Sequence, residues 1–184
     1  LTMLGVFTFP ALLPDFFDIW DLTSTGAGWI NGIYFAGYVA GVPLAVGLTD
    51  RVDARRIYLA GALITAIAAA GFALLADGFW TAMVFRALAG AGLACTYMPG
   101  LRIIVDRYDG PHQGRAVSFY TAGFSLGTAL SFLAAGGLAE VLGWRWAFAA
   151  AFIAAIAGLA LVAGLVASKT PARPDDDGFF LDFR

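Results

Sequence analysis

Charge is scarce in this sequence. Only 13% of its 184 residues are Asp, Glu, Lys or Arg, and it holds one histidine and one cysteine. A lone cysteine excludes an internal disulfide, and Cys95 lies in an apolar run, where it reads as a small buried apolar residue. His112 stands in a polar loop without partner cysteines or histidines, which removes the ordinary ligand sets for a metal. No H-E-x-x-H, G-x-S-x-G or G-x-x-x-x-G-K-[ST] string occurs, so the hydrolase and nucleotide chemistries tied to them have no basis here. The expectation is a protein that is not an enzyme, with no cofactor, no metal and no nucleic-acid partner.

What the sequence has instead is apolar length. It is 60% hydrophobic with a mean hydropathy of +0.80, more apolar surface than one soluble core of this size hides. Leu22–Thr49, Ile57–Ala76, Ala116–Ala139 and Trp146–Ser168 are uncharged, and each reaches the roughly 20 residues a helix needs to cross a bilayer. Gly78–Leu101 is a fifth such run, interrupted only by Arg86. Leu1–Pro14 is apolar but short. It lacks the basic leading region and cleavage site of a signal peptide, and the chain opens on Leu, so it reads as a first span cut at its amino end. The fold class expected is all-α: a polytopic membrane protein of six transmembrane helices in the lipid bilayer.

The connections alternate in basic content. Asp15–Thr25 has three aspartates and no Lys or Arg. The next connection carries Arg51, Arg55 and Arg56, and "ADGFW" carries only Asp77. Arg102, Arg107 and Arg115 follow, then Arg145 alone, then Lys169, Arg173 and Arg184 in the tail. Nine of the eleven basic residues thus share one side, which the positive-inside rule makes cytoplasmic, together with the amino end and the tail. The Ala- and Arg-rich composition points to a bacterial inner membrane. Anchoring leaves Asp50 and Asp53 unexplained, because acidic residues contribute little to topology.

A shift of ninety residues lays "GLTDRVDARR" (47–56) over "GLAEVLGWRW" (137–146). Gly47 and Leu48 meet Gly137 and Leu138, Asp50 meets Glu140, and Arg55 meets Arg145; upstream, Gly37 meets Gly127 and Ala45 meets Ala135. The first copy falls on the inner side and the second on the outer. The spans therefore divide into two three-helix units of opposite orientation, about 1–76 and 79–168, the arrangement of an inverted-repeat transporter.

The 2–3 connection resembles the signature of the major facilitator superfamily, roughly G-x-L-a-D-R-x-G-r-R-R. Leu48, Asp50, Arg51, Arg55 and Arg56 stand at its positions, while Val46 replaces its first glycine, with Gly47 adjacent. Asp53 replaces the second glycine, and aspartate tolerates a left-handed turn better than most residues. "GGLAEVLGWRW" keeps both glycines, at Gly136 and Gly143. "FRALAGAGLA" is similar to the family's R-x-x-q-G-x-g motif, aligning Arg86, Gly90 and Gly92. Gly123-x-x-x-Gly127 lacks the proline of the antiporter motif. The resemblance implies that residues 1–168 form an amino-terminal six-helix half, that 169–184 begin a cytoplasmic central loop, and that a carboxy-terminal half is missing. It also implies a cytoplasmic gate at Gly47, Asp50, Arg51, Arg55 and Arg56.

Polar side chains within the spans mark a candidate pathway for a small-molecule substrate. Asn31, Tyr34 and Tyr38 share a face of span 2, and Ser118, Thr121, Ser125 and Thr128 repeat the pattern on span 5. Such hydroxyls also bond back to their own helix. Gly123 and Gly127 lie opposite that stripe, where, like Gly90 and Gly92 on span 4, they suit close helix packing. Arg86 shares a face with Gly90 and Tyr97. It either grips an anionic group or braces helices through backbone carbonyls. Secondary transport of a small solute, an anion if Arg86 touches it, is the function expected; the alternative is a non-transporting membrane scaffold.

Overall fold

A computed structural model describes residues 1–108 and 110–168, and the regular structure among them is entirely helical. The tail 169–184 lies outside the described residues. Five helices are long and apolar enough to cross a membrane. In chain order these are α3 (Ser24–Thr49), α4 (Ala54–Leu75), α5 (Phe79–Val105), α6 (Pro111–Leu142) and α7 (Trp144–Leu165). They follow α1 (Thr8–Ala11) and α2 (Leu13–Trp20), which a 3-10 turn, Thr2–Gly5, precedes.

Local chemistry sets the helix starts. Thr23 Oγ1 accepts the Gly26 N–H at 3.1 Å to open α3, and the Asp53 carboxylate accepts the Arg55 N–H at 2.9 Å to open α4. Asp53 is therefore a helix cap with φ −51°, not a residue in a left-handed turn. The glycine ninety residues on, Gly143, does take a left-handed backbone, φ 91°, to turn α6 into α7. Proline opens α6, where its missing N–H would have no helical partner.

The first span differs from the single helix expected. It runs as the 3-10 turn, α1 and α2, and extends to Trp20, because Pro10 and Pro14 each remove a helical donor. Asp15 and Asp18 consequently lie on α2, and the connection expected over 15–25 shrinks to Asp21–Thr23. The 4–5 connection shortens likewise, since α5 continues through Arg102 to Val105, where Arg102 Nε donates to Asp106 at 2.9 Å. Charge ends an apolar run without ending a helix.

α5 is the central span, 44% of its apolar window buried, and it lies against both α3 and α4. The first-span segments lie against α6 and α7, and α4 packs on α7. Edge-on rings bind the first span into this frame: Phe9 and Phe16 meet Phe72 of α4 at 6.1 and 6.0 Å, and Phe16 meets Trp144 of α7 at 5.3 Å. Least covered is α6, at 11%.

Candidate functional site

Arg86 lies two turns into α5 and is only 2% exposed. Its Nη2 donates to Asn31 Oδ1 and its Nη1 to the Val6 carbonyl, both at 3.3 Å. Its guanidinium carbon sits 4.1 Å from the centre of the Tyr34 ring and 5.5 Å from that of Phe9. Asn31, Tyr34 and Arg86 thus converge, yet they form a buried joint between α3, α5 and the first span. Tyr34, expected on a pathway, is itself 3% exposed, because the arginine and the first span cover it. A small cavity of about 20 Å³, large enough for one water, lies beside Arg86 and is lined by Thr2, Gly5, Thr65 and several alanines.

The glycines explain how α3 and α5 come so close. A Cβ on Gly90 would fall 1.9 Å from the Tyr34 carbonyl oxygen, and one on Gly92 would fall 2.4 Å from Thr65 Oγ1 of α4. On α6, a Cβ on Gly127 would fall 2.9 Å from Met3 Cβ, whereas one on Gly123, expected at a packing surface, would have nothing within 4 Å. At Gly123 that side of α6 is open.

Tyr38, one turn beyond Tyr34, and Tyr97 of α5 are half-buried and pack against the cluster of Met3, Val6, Tyr34 and Leu93, as do Phe7 and Phe124. Tyr120 of α6 joins them, its ring stacked on Tyr97 at 5.6 Å and its hydroxyl donating to the Tyr97 carbonyl at 2.9 Å. Thr121 and Ser125 are exposed and Thr128 half-buried. Their hydroxyls also donate within the helix, Thr121 to Val117 at 3.0 Å and Thr128 to Ser125 at 2.8 Å. Facing outward and bonding back occur together on this stripe.

The signature segment divides. Gly47, Asp50, Arg51 and Arg56 are exposed, and among the described residues no hydrogen bond or ion pair joins Asp50 to Arg51 or Arg55. Arg55 turns instead to the end of α7, donating through Nη2 to the Ala163 carbonyl at 2.7 Å and through Nη1 to Ser168 Oγ at 3.2 Å. Arg107, from the other basic connection, donates to the Ala167 carbonyl. Two arginines on two connections therefore hold the exit of α7, which the sequence reading did not anticipate.

Ser131 escaped that reading as well. It is 1% exposed, donates to the Leu4 carbonyl at 2.6 Å and accepts the Phe7 N–H at 3.1 Å. It extends the hydroxyl series by one more step of three after Thr128, so a signal was present. Among the described residues no group of three or more His, Cys, Asp or Glu side chains is placed to hold a metal.

Five apolar helices around a buried arginine, with an open hydroxylic face, define an integral membrane protein of the polytopic helical class. The sequence model of the Major Facilitator Superfamily matches residues 1–181, and the chain belongs to that family. It is 24% identical over 149 residues to "Protein spinster homolog 1" of Bos taurus, covering 80% of this chain and 28% of that protein. It is 30% identical over 158 residues to a Cupriavidus pinatubonensis protein described as a "Probable 4-methylmuconolactone transporter", covering 80% of this chain and 35% of that one. In fold it is similar to a crystal structure of the peptide transporter POT, with a TM-score of 0.80 and 20% identity over 92% of this chain and 38% of that one. The chain thus spans about a third of the length of these proteins.

Proposed function

We propose that this chain is the amino-terminal six-helix part of a secondary transporter that moves a small solute by alternating access, in a bacterial inner membrane with its amino end and tail cytoplasmic. The observation that carries this reading is the internal exchange relation of the helices. Ala54 to Trp144 and Leu75 to Leu165 are both steps of ninety, so α4 and α7 correspond end to end. Exchanging the units turns the α3–α5 and α4–α5 contacts into those of α6 and α7 with the first span, and leaves α4–α7 in place. Two units of about 1–76 and 79–168 related in this way are what a rocking transporter half requires.

In this reading Arg86 is a brace and not a substrate ligand, since its burial and its two diverging acceptors support that role. Tyr38, Tyr97, Thr121, Ser125 and Thr128 line the pathway, with Asn31 and Tyr34 behind them. Asp50, Arg51 and Arg56 remain free to meet a carboxy-terminal half, and Arg55 holds α7. The exposed hydroxyls of α6 favour transport over a scaffold, which needs no polar face.

Uptake of small organic solutes, 4-methylmuconolactone among them, into proteoliposomes of the native-length protein tests the reading. Arg86→Lys and Arg86→Ala should both abolish uptake and lower the unfolding temperature, because one ammonium cannot span both acceptors. Retained uptake in Arg86→Lys with loss in Arg86→Ala would restore the substrate-contact role. Absence of uptake for every solute, with intact folding, would favour the scaffold.

A further inference from the structure

Pro10 has no N–H, so the Val6 carbonyl four residues earlier lacks its helical donor. An unpaired carbonyl at that depth is strongly unfavourable, and breaks in a spanning helix persist only where other protein groups take up the freed backbone. Arg86 Nη1 supplies that donor at 3.3 Å. Just upstream, where the 3-10 turn gives way to α1, Ser131 bridges the gap by donating to the Leu4 carbonyl and accepting the Phe7 N–H. Thr8 Oγ1 adds a second donor to the Leu4 carbonyl at 3.0 Å.

We propose that Pro10, Arg86 and Ser131 are one device: a joint in the first span, opened beside Pro10, whose backbone groups without helical partners are held by α5 and α6. The bend of the first span is then set by its neighbours and not by its own helical bonds. Met3 and Val6, at the joint, belong to the buried cluster against which the half-buried Phe7, Tyr38 and Tyr97 pack. Ser131 is therefore a positioning residue: it touches no pathway, and it fixes the backbone on which that cluster and the tyrosines against it rest. This last step rests on the transport reading, whereas the joint itself does not.

Two measurements on the purified native-length protein test the device. In amide hydrogen exchange, Ser131→Ala should speed exchange of the Phe7 amide roughly tenfold, the loss of about one hydrogen bond, and leave α4 unchanged. Ser131→Thr, which keeps the hydroxyl, should stay near wild type. In thermal unfolding, Arg86→Met should lower the midpoint, and Pro10→Ala should recover a large part of that loss by giving the Val6 carbonyl a new donor. Unchanged Phe7 exchange in Ser131→Ala, or the same loss from Arg86→Met in both backgrounds, would overturn the joint. Where uptake is measurable, Ser131→Ala should reduce it severalfold and Ser131→Thr should not. A protein that passes the exchange and unfolding tests but moves no solute keeps the joint and loses the transport reading.

Discussion

At Gly90 a single methyl group separates contact from collision. The α3 backbone passes so close that a side-chain carbon would sit 1.9 Å from the Tyr34 carbonyl oxygen, and backbone cannot yield as a flexible side chain can. Gly90→Ala should therefore destabilise the protein by about 1–3 kcal/mol, the usual range for overpacking, and lower its unfolding temperature in detergent. Gly123→Ala, with open space beyond it, should leave that temperature unchanged or raise it slightly, alanine being the better helix former. A residue-level reading of the sequence selected both glycines, because spacing shows that a face is small without showing what faces it. For the same reason it placed Asn31 and Tyr34 on a pathway and left Arg86 between gripping an anion and bracing helices through backbone carbonyls. Which carbonyl Arg86 meets, that of Val6, no side-chain pattern reveals.

Among the elements, helix existence was legible and helix ends were not. Five long apolar runs became five helices, since hydrophobic length alone dictates them. Their ends ran past the first charge, as at Arg102, and the first span broke shortly before Pro10 and Pro14, at Val6–Phe7 and at Leu12. The cap on α4 shows what a departure from a family pattern can mean. Asp53 replaces a turn glycine and returns a side-chain acceptor to the Arg55 N–H. Asp53→Ala should cost about 0.5–2 kcal/mol of stability, while Asp53→Asn should recover most of it, measured by chemical unfolding in mixed micelles. Arg55 and Arg107 act at the other end of an element, on the last carbonyls of α7. Replacing both by Ala should speed amide exchange across residues 160–168 well beyond either single change, while α3 stays as it was. Equal exchange in all three would mean that the end of α7 holds itself.

For the whole molecule, the inverted pairing of two units that we propose starts from the ninety-residue echo, and the helix contacts are consistent with the same exchange. The open side was less legible. A hydroxyl stripe on α6 suits a water-filled pathway and also a helix bonding to itself; in the folded chain these hydroxyls bond back while Thr121 and Ser125 stay exposed. What separates a transporter from a membrane scaffold is whether that face meets water from each side of the membrane. The direct measurement places a cysteine at Thr121, in a background where Cys95 is alanine. The native-length protein is then labelled with a membrane-impermeant maleimide in right-side-out and in inverted vesicles. Alternating access predicts labelling of Thr121→Cys from both sides, at rates that change in opposite directions when the protein is biased toward one state. A face turned to lipid predicts no labelling from either side, and that result would contradict the account.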